Sequence, residues 1–207
     1  MIPRDIADDW VRKKHYTHRP SMFSFAFGLV DAGVVLGVVV YGPPPLQIAK
    51  HACPQYPTLE LTRLVIQATD PNSASFLIGG SLRMLPRPTC VVSYADELMG
   101  HVGIVYQATN WLYTGAVKSR DKIYCLPDGT HVHPRTLASR GITAPSKWAM
   151  ENNVVTRPMT TKHRYFYLVG DRRQKEAMRA ALRYPICPYP KAPKQTYDDG
   201  PVLVTEL

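Results

Sequence analysis

Apolar residues recur along the chain at helical and at strand spacing, and each spacing predicts an element. Ile6, Trp10 and Val11 fall at helical spacing within Asp5–Lys14, which predicts a short amphipathic helix; Pro20 discourages its continuation. Phe23–Val30 and Val34–Tyr41 are rich in β-branched and aromatic residues. With the turn signal Asp31-Ala32-Gly33 between them, they predict a β-hairpin. Gly42-Pro43-Pro44-Pro45 stops the second strand, and the chain on to Pro57 reads as loop. Thr58–Ile66 reads as a strand in which Leu59, Leu61 and Arg63 alternate with Glu60, Thr62 and Leu64. A helix over about Ser73–Leu85 follows, opened by Asp70-Pro71-Asn72-Ser73 and ended by Pro86 and Pro88.

Thr89–Ala95 reads as a buried strand, Gly103–Ala108 as a short helix and Trp111–Val117 as a further strand. Ile123–Leu126 and Thr130–Val132 flank Pro127-Asp128-Gly129 as a second hairpin. Arg164–Val169 is a late strand, and Asp171–Leu182 an amphipathic helix capped by Asp171. From Tyr184 the chain is proline-rich and reads as an irregular arm, packed or partly disordered. An antiparallel beginning joined to a β-α-β unit predicts a mixed α/β sheet. A length of 207 residues suits one well-cored domain, taken as residues 1–183, with 184–207 as the arm.

Composition narrows this picture at a few points. The longest apolar run, Val34–Tyr41, is too short to span a bilayer, so no membrane association is expected. The opening Met-Ile-Pro-Arg-Asp lacks the pattern of a signal peptide. Cys53, Cys90, Cys125 and Cys187 are far apart with no CxxC pair, which argues against a zinc ribbon and a disulfide framework. Reduced thiols in a cytosol are the simplest inference. The net charge of +9 is a common footprint of polyanion binding, with nucleic acid the candidate weighed against the plainer reading of general solubility or a ribosome- or membrane-facing protein.

Four clusters carry candidate chemistry. His15-Tyr16-Thr17-His18 offers two imidazoles and a phenol after a helix, suited to a metal, to acid–base work, to stacking on a base, or to a plain polar loop. Glu60-Leu61-Thr62-Arg63-Leu64 places both charge signs in one strand, which is costly if buried and unpaired. Arg63 is then a candidate fork for a phosphate or carboxylate. Ser93-Tyr94-Ala95-Asp96-Glu97 puts acidic residues at the carboxyl end of a buried strand, where open α/β sheets bind ligands; Asp96 is a candidate base, metal ligand or helix cap. Gly103 to Trp111 contains Tyr106, a candidate proton donor, ligand or core aromatic.

In this order the clusters resemble the Mom DNA-modification proteins of phage Mu and its relatives, from about Trp10 to Pro134. The marks are Lys14-His15-Tyr16, Val40-Tyr41-Gly42, Glu60 to Leu64, Ser93-Tyr94-Ala95-Asp96, Val105 to Trp111 and Leu126-Pro127-Asp128-Gly129. The resemblance implies the fold of a GCN5-related N-acetyltransferase (GNAT), a mixed, mostly antiparallel central sheet flanked by helices. It implies conversion of adenine in double-stranded DNA to an N6-carbamoylmethyl form that protects phage DNA from restriction, in the cytoplasm of the bacterial host. Asp96, Tyr106, Arg63 and Ser81 are the catalytic candidates that it implies. It also implies iron, with His15, Tyr16, Asp96 and Tyr106 as ligands, a donor set suited to a harder ion. Lys13, Lys14, Arg19, Lys118, Arg120 and Lys122 are candidates for the phosphate backbone. Tyr16, Trp111 and Tyr113 are candidates to stack on a flipped adenine.

One stretch departs from acetyltransferases of this fold. They cradle the coenzyme A pyrophosphate with a glycine-rich loop at a helix N-terminus. Here that stretch is Asp70-Pro71-Asn72-Ser73-Ala74-Ser75, without glycine and with an acid. This argues against acetyl-coenzyme A and leaves the group donor unidentified. Two alternatives stand beside this reading: an acyl-CoA-dependent N-acetyltransferase on a small-molecule or protein amine, and a non-catalytic DNA-binding protein. A homodimer is compatible with the sequence, which carries no signal of oligomeric state.

Overall fold

The computed structural model describes residues 1–15, 18–19, 21–97, 100–118, 122–132, 134–158 and 161–191. Helix α1 (Arg4–Lys14) precedes the hairpin β1 (Phe25–Asp31) and β2 (Val34–Gly42). There follow α2 (Leu46–His51), β3 (Thr58–Ile66), α3 (Ser73–Met84), β4 (Thr89–Asp96), α4 (Ile104–Ala108) and β5 (Leu112–Val117). Next come β6 (Lys122–Cys125), β7 (His131–Val132), α5 (Pro134–Ser139), α6 (Pro145–Glu151) and β8 (Val155–Pro158). The chain returns through β9 (Lys162–Val169) and α7 (Arg172–Ala181).

Six strands form the main sheet in the order β1-β2-β3-β4-β9-β5. Every pairing is antiparallel except that of β3 with β4. This is the mixed, mostly antiparallel sheet flanked by helices that the sequence led us to expect. One face packs against α3 around Tyr41, Leu61, Ile78 and Leu82, with Tyr106 of α4, Trp111 and Tyr165 in the same cluster. The other face is covered by α1 over Val38, Val40 and Val65, and by α7 over Cys90, Val92 and Phe166. Among the described residues, no helix is long and apolar enough to cross a membrane.

The structure departs from the sequence expectations in three places. The stretch before Pro57 is not all loop: it contains α2, of which only Ile48 is buried. Between β5 and β9, more than a hairpin is present. β6 pairs with both β7 and β8 in a separate three-stranded sheet, and Tyr124, Val132, Leu137 and Ala149 form its own small core. The third departure is in β3. Its partners in β2 run Val40 to Arg63 and then Tyr41 to Leu61, so Thr62 is an extra residue, a β-bulge. A bulge reverses the phase of alternation beyond it. Leu59 and Leu61 face α3, and after the bulge so do Leu64 and Ile66, while Val65 packs beneath α1. Arg63 therefore lies on the opposite face from Leu61 rather than beside it.

The tail turns back onto the sheet. Cys187 N–H donates to Tyr113 O at 2.8 Å, Tyr189 Oη donates to Trp111 O at 2.7 Å, and Tyr184 stacks on Phe166 with ring centroids 5.7 Å apart. Residues 192–207 lie outside the described residues.

Candidate active site

β3 and β4 are paired only from Thr58–Cys90 to Glu60–Val92. Beyond that point β3 stays with β2 and β4 stays with β9, so the two strands diverge and leave a gap in the sheet. The gap is a cleft of about 430 Å³. Its walls are Leu61–Leu64 of β3 and Ser93–Asp96 of β4; His15 closes one side, and the 100–106 segment with Tyr106 closes the other.

Strands that part lose ladder hydrogen bonds, and side chains replace them. Ser93 Oγ lies 2.9 Å from Leu61 O and 2.8 Å from Tyr106 Oη. Serine has one proton, which Ser93 offers to the Leu61 carbonyl and to the Tyr106 hydroxyl. Thr62 Oγ1 donates to Val40 O at the bulge and lies 2.7 Å from Ser21 Oγ. Hydroxyl groups thus support both walls of the cleft.

The bulge delivers Arg63 to the side where α1 ends. Its Nε donates to Arg19 O at 3.1 Å and its Nη1 to Thr62 O at 2.7 Å, which fixes the guanidinium. His15, buried directly after α1, titrates at about 4, because burial, then the Arg63 charge and then His18 oppose its protonation. At neutral pH it is an uncharged imidazole next to a fixed cation. Across the cleft, Asp96 Oδ2 lies 3.4 Å from Lys162 Nζ.

The 100–106 segment is held from behind by Tyr165. Its hydroxyl donates to Val102 O at 2.6 Å and accepts from Gln107 Nε2 at 3.1 Å. Burial pushes this phenol up to about 12, against the lowering effect of the Gln107 bond. Gly103 has φ +87°, and a Cβ there would come within 2.4 Å of the Tyr165 ring. Only glycine fits this close approach, which sets where α4 begins and hence where Tyr106 points.

Four of the expected site residues, His15, Arg63, Asp96 and Tyr106, come from four separate segments to line this one cleft. Ser81 is placed elsewhere: its buried hydroxyl lies 2.7 Å from Tyr41 Oη and donates to Ile78 O, fastening α3 to β2. Tyr16 and Arg120 lie outside the described residues. Trp111 is wholly buried, and its Nε1 has no partner among the described residues; Tyr113 is also buried, with its hydroxyl 2.9 Å from His163 Nδ1. Neither offers a face on which a base can stack. Lys13 is paired with Asp9 at 2.8 Å, and Lys14 bonds to Gln67 with its ammonium 3.7 Å over the Trp10 ring. Arg19, Lys118 and Lys122 are exposed. Ser93 as the bridge, Tyr165 as the support and His101 as a further lining residue were not foreseen. The polar pair Lys162-His163 opposite Asp96-Glu97 was the available signal, legible only once β9 is set beside β4.

The model of the Mom protein family matches residues 1–191. The chain belongs to the Mom protein family. A comparison with curated protein sequences found no match. Among solved structures, the Mom-family chain is similar to an N-acetyltransferase from Staphylococcus aureus Mu50, with 14% identity over 70% of this chain and 67% of that one, at a TM-score of 0.39. It is also similar to the aminoglycoside 6'-N-acetyltransferase from Enterococcus faecium, with 10% identity over 71% and 73% of the two chains, at a TM-score of 0.40.

For iron, no group of three or more His, Cys, Asp or Glu side chains converges among the described residues. The Arg63 charge acting on His15 also opposes a cation at that donor. Of the expected ligands, His15, Asp96 and Tyr106 line the cleft, and Tyr16 lies outside the described residues. For coenzyme A, the start of α3 is already engaged by an anion. Asp70 Oδ1 accepts the Asn72 N–H at 2.7 Å, where a pyrophosphate would need open donors and no negative charge.

Proposed function

We propose that this protein modifies adenine in DNA, attaching a carbamoylmethyl group to N6 of a base held in the cleft between β3 and β4. The observation that carries the reading is the convergence of His15, Arg63, Asp96 and Tyr106 on that cleft in a chain of the Mom family. A volume of about 430 Å³ suits one base rather than a duplex, so the target nucleotide leaves the stack before reaction.

An exocyclic amine is a weak nucleophile, so positioning and base assistance carry the step. As the N6–carbon bond forms, the amine proton passes to the Asp96 carboxylate, which Lys162 orients. His15, kept uncharged by burial and by the Arg63 charge, serves as a neutral hydrogen-bond acceptor in the same cleft. Arg63, fixed by two backbone carbonyls, faces the anionic part of the donor. Tyr106 is the acid for the leaving group, its orientation set by Ser93. The donor is an activated carbamoylmethyl carrier that needs no pyrophosphate cradle at α3.

The test is nucleoside mass analysis of DNA from cells expressing the protein. The expected result is a modified adenine with the mass of an added carbamoylmethyl group, lost in Asp96→Asn and Arg63→Gln variants that still fold. Unmodified adenine at good expression overturns the reading.

A further inference from the structure

Helix α7 carries four Lys or Arg against one Glu along Arg172–Ala181, and it buries only Met178. Beyond the Asp171 cap, its first turn holds Arg172, Arg173 and Lys175 and no acid, although the helix dipole disfavours cations there. Local helix stability does not account for these charges. Arg172, Lys175, Glu176 and Arg179 fall three and four residues apart, on one side of the helix. That side is one wall of a groove of about 560 Å³. The rest of its lining is mostly apolar, with Leu112 of the edge strand β5 and Tyr167 and Leu168 of β9.

The charged wall has a surplus of cations. Glu176 is taken up by Arg172, whose Nε lies 3.1 Å from its Oε1. The Lys175 ammonium lies 5.7 Å from the centroid of the Tyr167 ring, and neither Lys175 nor Arg179 meets a carboxylate among the described residues. By contrast, Lys13, Lys14 and Lys162 are each engaged within the protein. The groove is also held at a set distance from the cleft. Lys162, at the start of β9, pairs with Asp96 in the cleft wall, and Tyr167 lies five residues further along the same strand. Five residues of strand span about 17 Å. That is about five base pairs, or half a turn of B-DNA. Helix α7 covers the same face of the sheet as α1, which leads into His15.

We propose that the groove between α7 and the β5–β9 edge of the sheet holds the sugar–phosphate backbone of duplex DNA about half a turn from the nucleotide in the cleft. This rests on the DNA-modification reading above. A cleft sized for one base leaves the flanking backbone to be held elsewhere. Lys175 and Arg179 supply two uncompensated charges for successive phosphates, and the apolar lining takes the sugars between them. Such contacts carry no sequence information; they fix the register of the duplex, so that a base leaving the stack does so opposite Asp96.

The test is fluorescence anisotropy of the full chain with a fluorescein-labelled, adenine-containing duplex of about two helical turns, over a range of salt concentrations. K175Q/R179Q is expected to weaken binding at least about tenfold and to flatten the log–log salt slope by about 0.9 for each of the two phosphates no longer neutralised. R83Q/R87Q removes two exposed cations at the end of α3 and just after it, and is expected to bind as the parent does. Unchanged affinity and slope in the first variant, or an equal loss in the second, overturns the proposal. Should K175Q/R179Q not fold, R179Q alone carries the same test, with a slope change of about 0.9. A parent that does not bind the duplex at low salt overturns the groove as a DNA site. A parent that binds the duplex but leaves adenine unmodified overturns the function proposed above and not this groove. A K175Q/R179Q protein that binds and modifies as the parent does overturns the groove alone.

Discussion

Replacing Ser93 by Ala removes a hydroxyl that is 1% exposed and serves two partners at 2.9 and 2.8 Å. The Leu61 carbonyl, already without a strand partner on the β4 side, loses its donor, and the Tyr106 hydroxyl loses one of its contacts. Each buried polar group left unsatisfied costs about 1–3 kcal/mol. The loss at Leu61 dominates, because Tyr106 keeps a further interaction, so the expected total is about 2–3 kcal/mol rather than the full sum. Tyr106→Phe keeps the ring contacts with Trp111 at 5.0 Å and Tyr165 at 5.2 Å and leaves Ser93 bonded to Leu61, so it costs about 1 kcal/mol. Once Ser93 is Ala, removing the Tyr106 hydroxyl costs little more, and the double-mutant cycle shows a coupling of about 1 kcal/mol. Urea denaturation of the four proteins measures this, with an unchanged m-value as the condition for comparison. A Ser93→Ala cost below about 0.5 kcal/mol, or additive effects, would refute the bridge.

Three further predictions use the same kind of measurement. His15 titrates at about 4 in the folded protein against an ordinary value of 6.5, so between those values the unfolded chain takes up a proton that the folded chain refuses. Stability therefore falls as the pH drops from about 6.5 to about 4, by up to about 2–3 kcal/mol, and His15→Gln flattens that part of the profile; a parallel profile in the variant would contradict it. Gly103→Ala meets the Tyr165 ring and a φ of +87°, and is expected to cost more than about 2 kcal/mol, while Gly129→Ala, with φ +81° and open space, costs about 1 kcal/mol. Equal costs by thermal denaturation would show that the Tyr165 contact is not tight. Asp171 accepts from Gln174 N–H at 2.8 Å in a complete capping box, so Asp171→Ala lowers stability by about 1 kcal/mol, read by the same denaturation.

The regular elements of the main sheet were legible because their cores impose a period. Helix α1 buries Ala7, Trp10 and Val11, and β4 buries nearly every residue. Short elements were not: α2 buries one side chain, and α6 buries only Ala149, too few positions for a period to register. The side on which Arg63 lies was hidden for another reason. Alternation along one strand predicts one face, but a bulge is fixed by the partner strand, here at Val40 and Tyr41. The cleft residues were found as separate clusters, and the sequence could not say that they meet. Ser81 reads as a polar residue in a helix, and nothing in its own neighbourhood announces that Tyr41, forty residues earlier, takes its hydroxyl.

The gap between β3 and β4 has a structural cost that explains its lining. Where three paired residues give way to divergent strands, backbone groups on both edges lose partners, and only polar side chains or water can replace them. Ser93 does so for Leu61 and in the same contact meets Tyr106; Thr62, the extra residue of the bulge between β2 and β3, donates to Val40 O there and turns Arg63 towards His15. The groups that keep the sheet open are thus the groups that aim the candidate acid and the candidate anion holder. A substitution that destabilises the gap should misplace both, which is why the Ser93 cycle probes the architecture of the site as well as the stability of the fold.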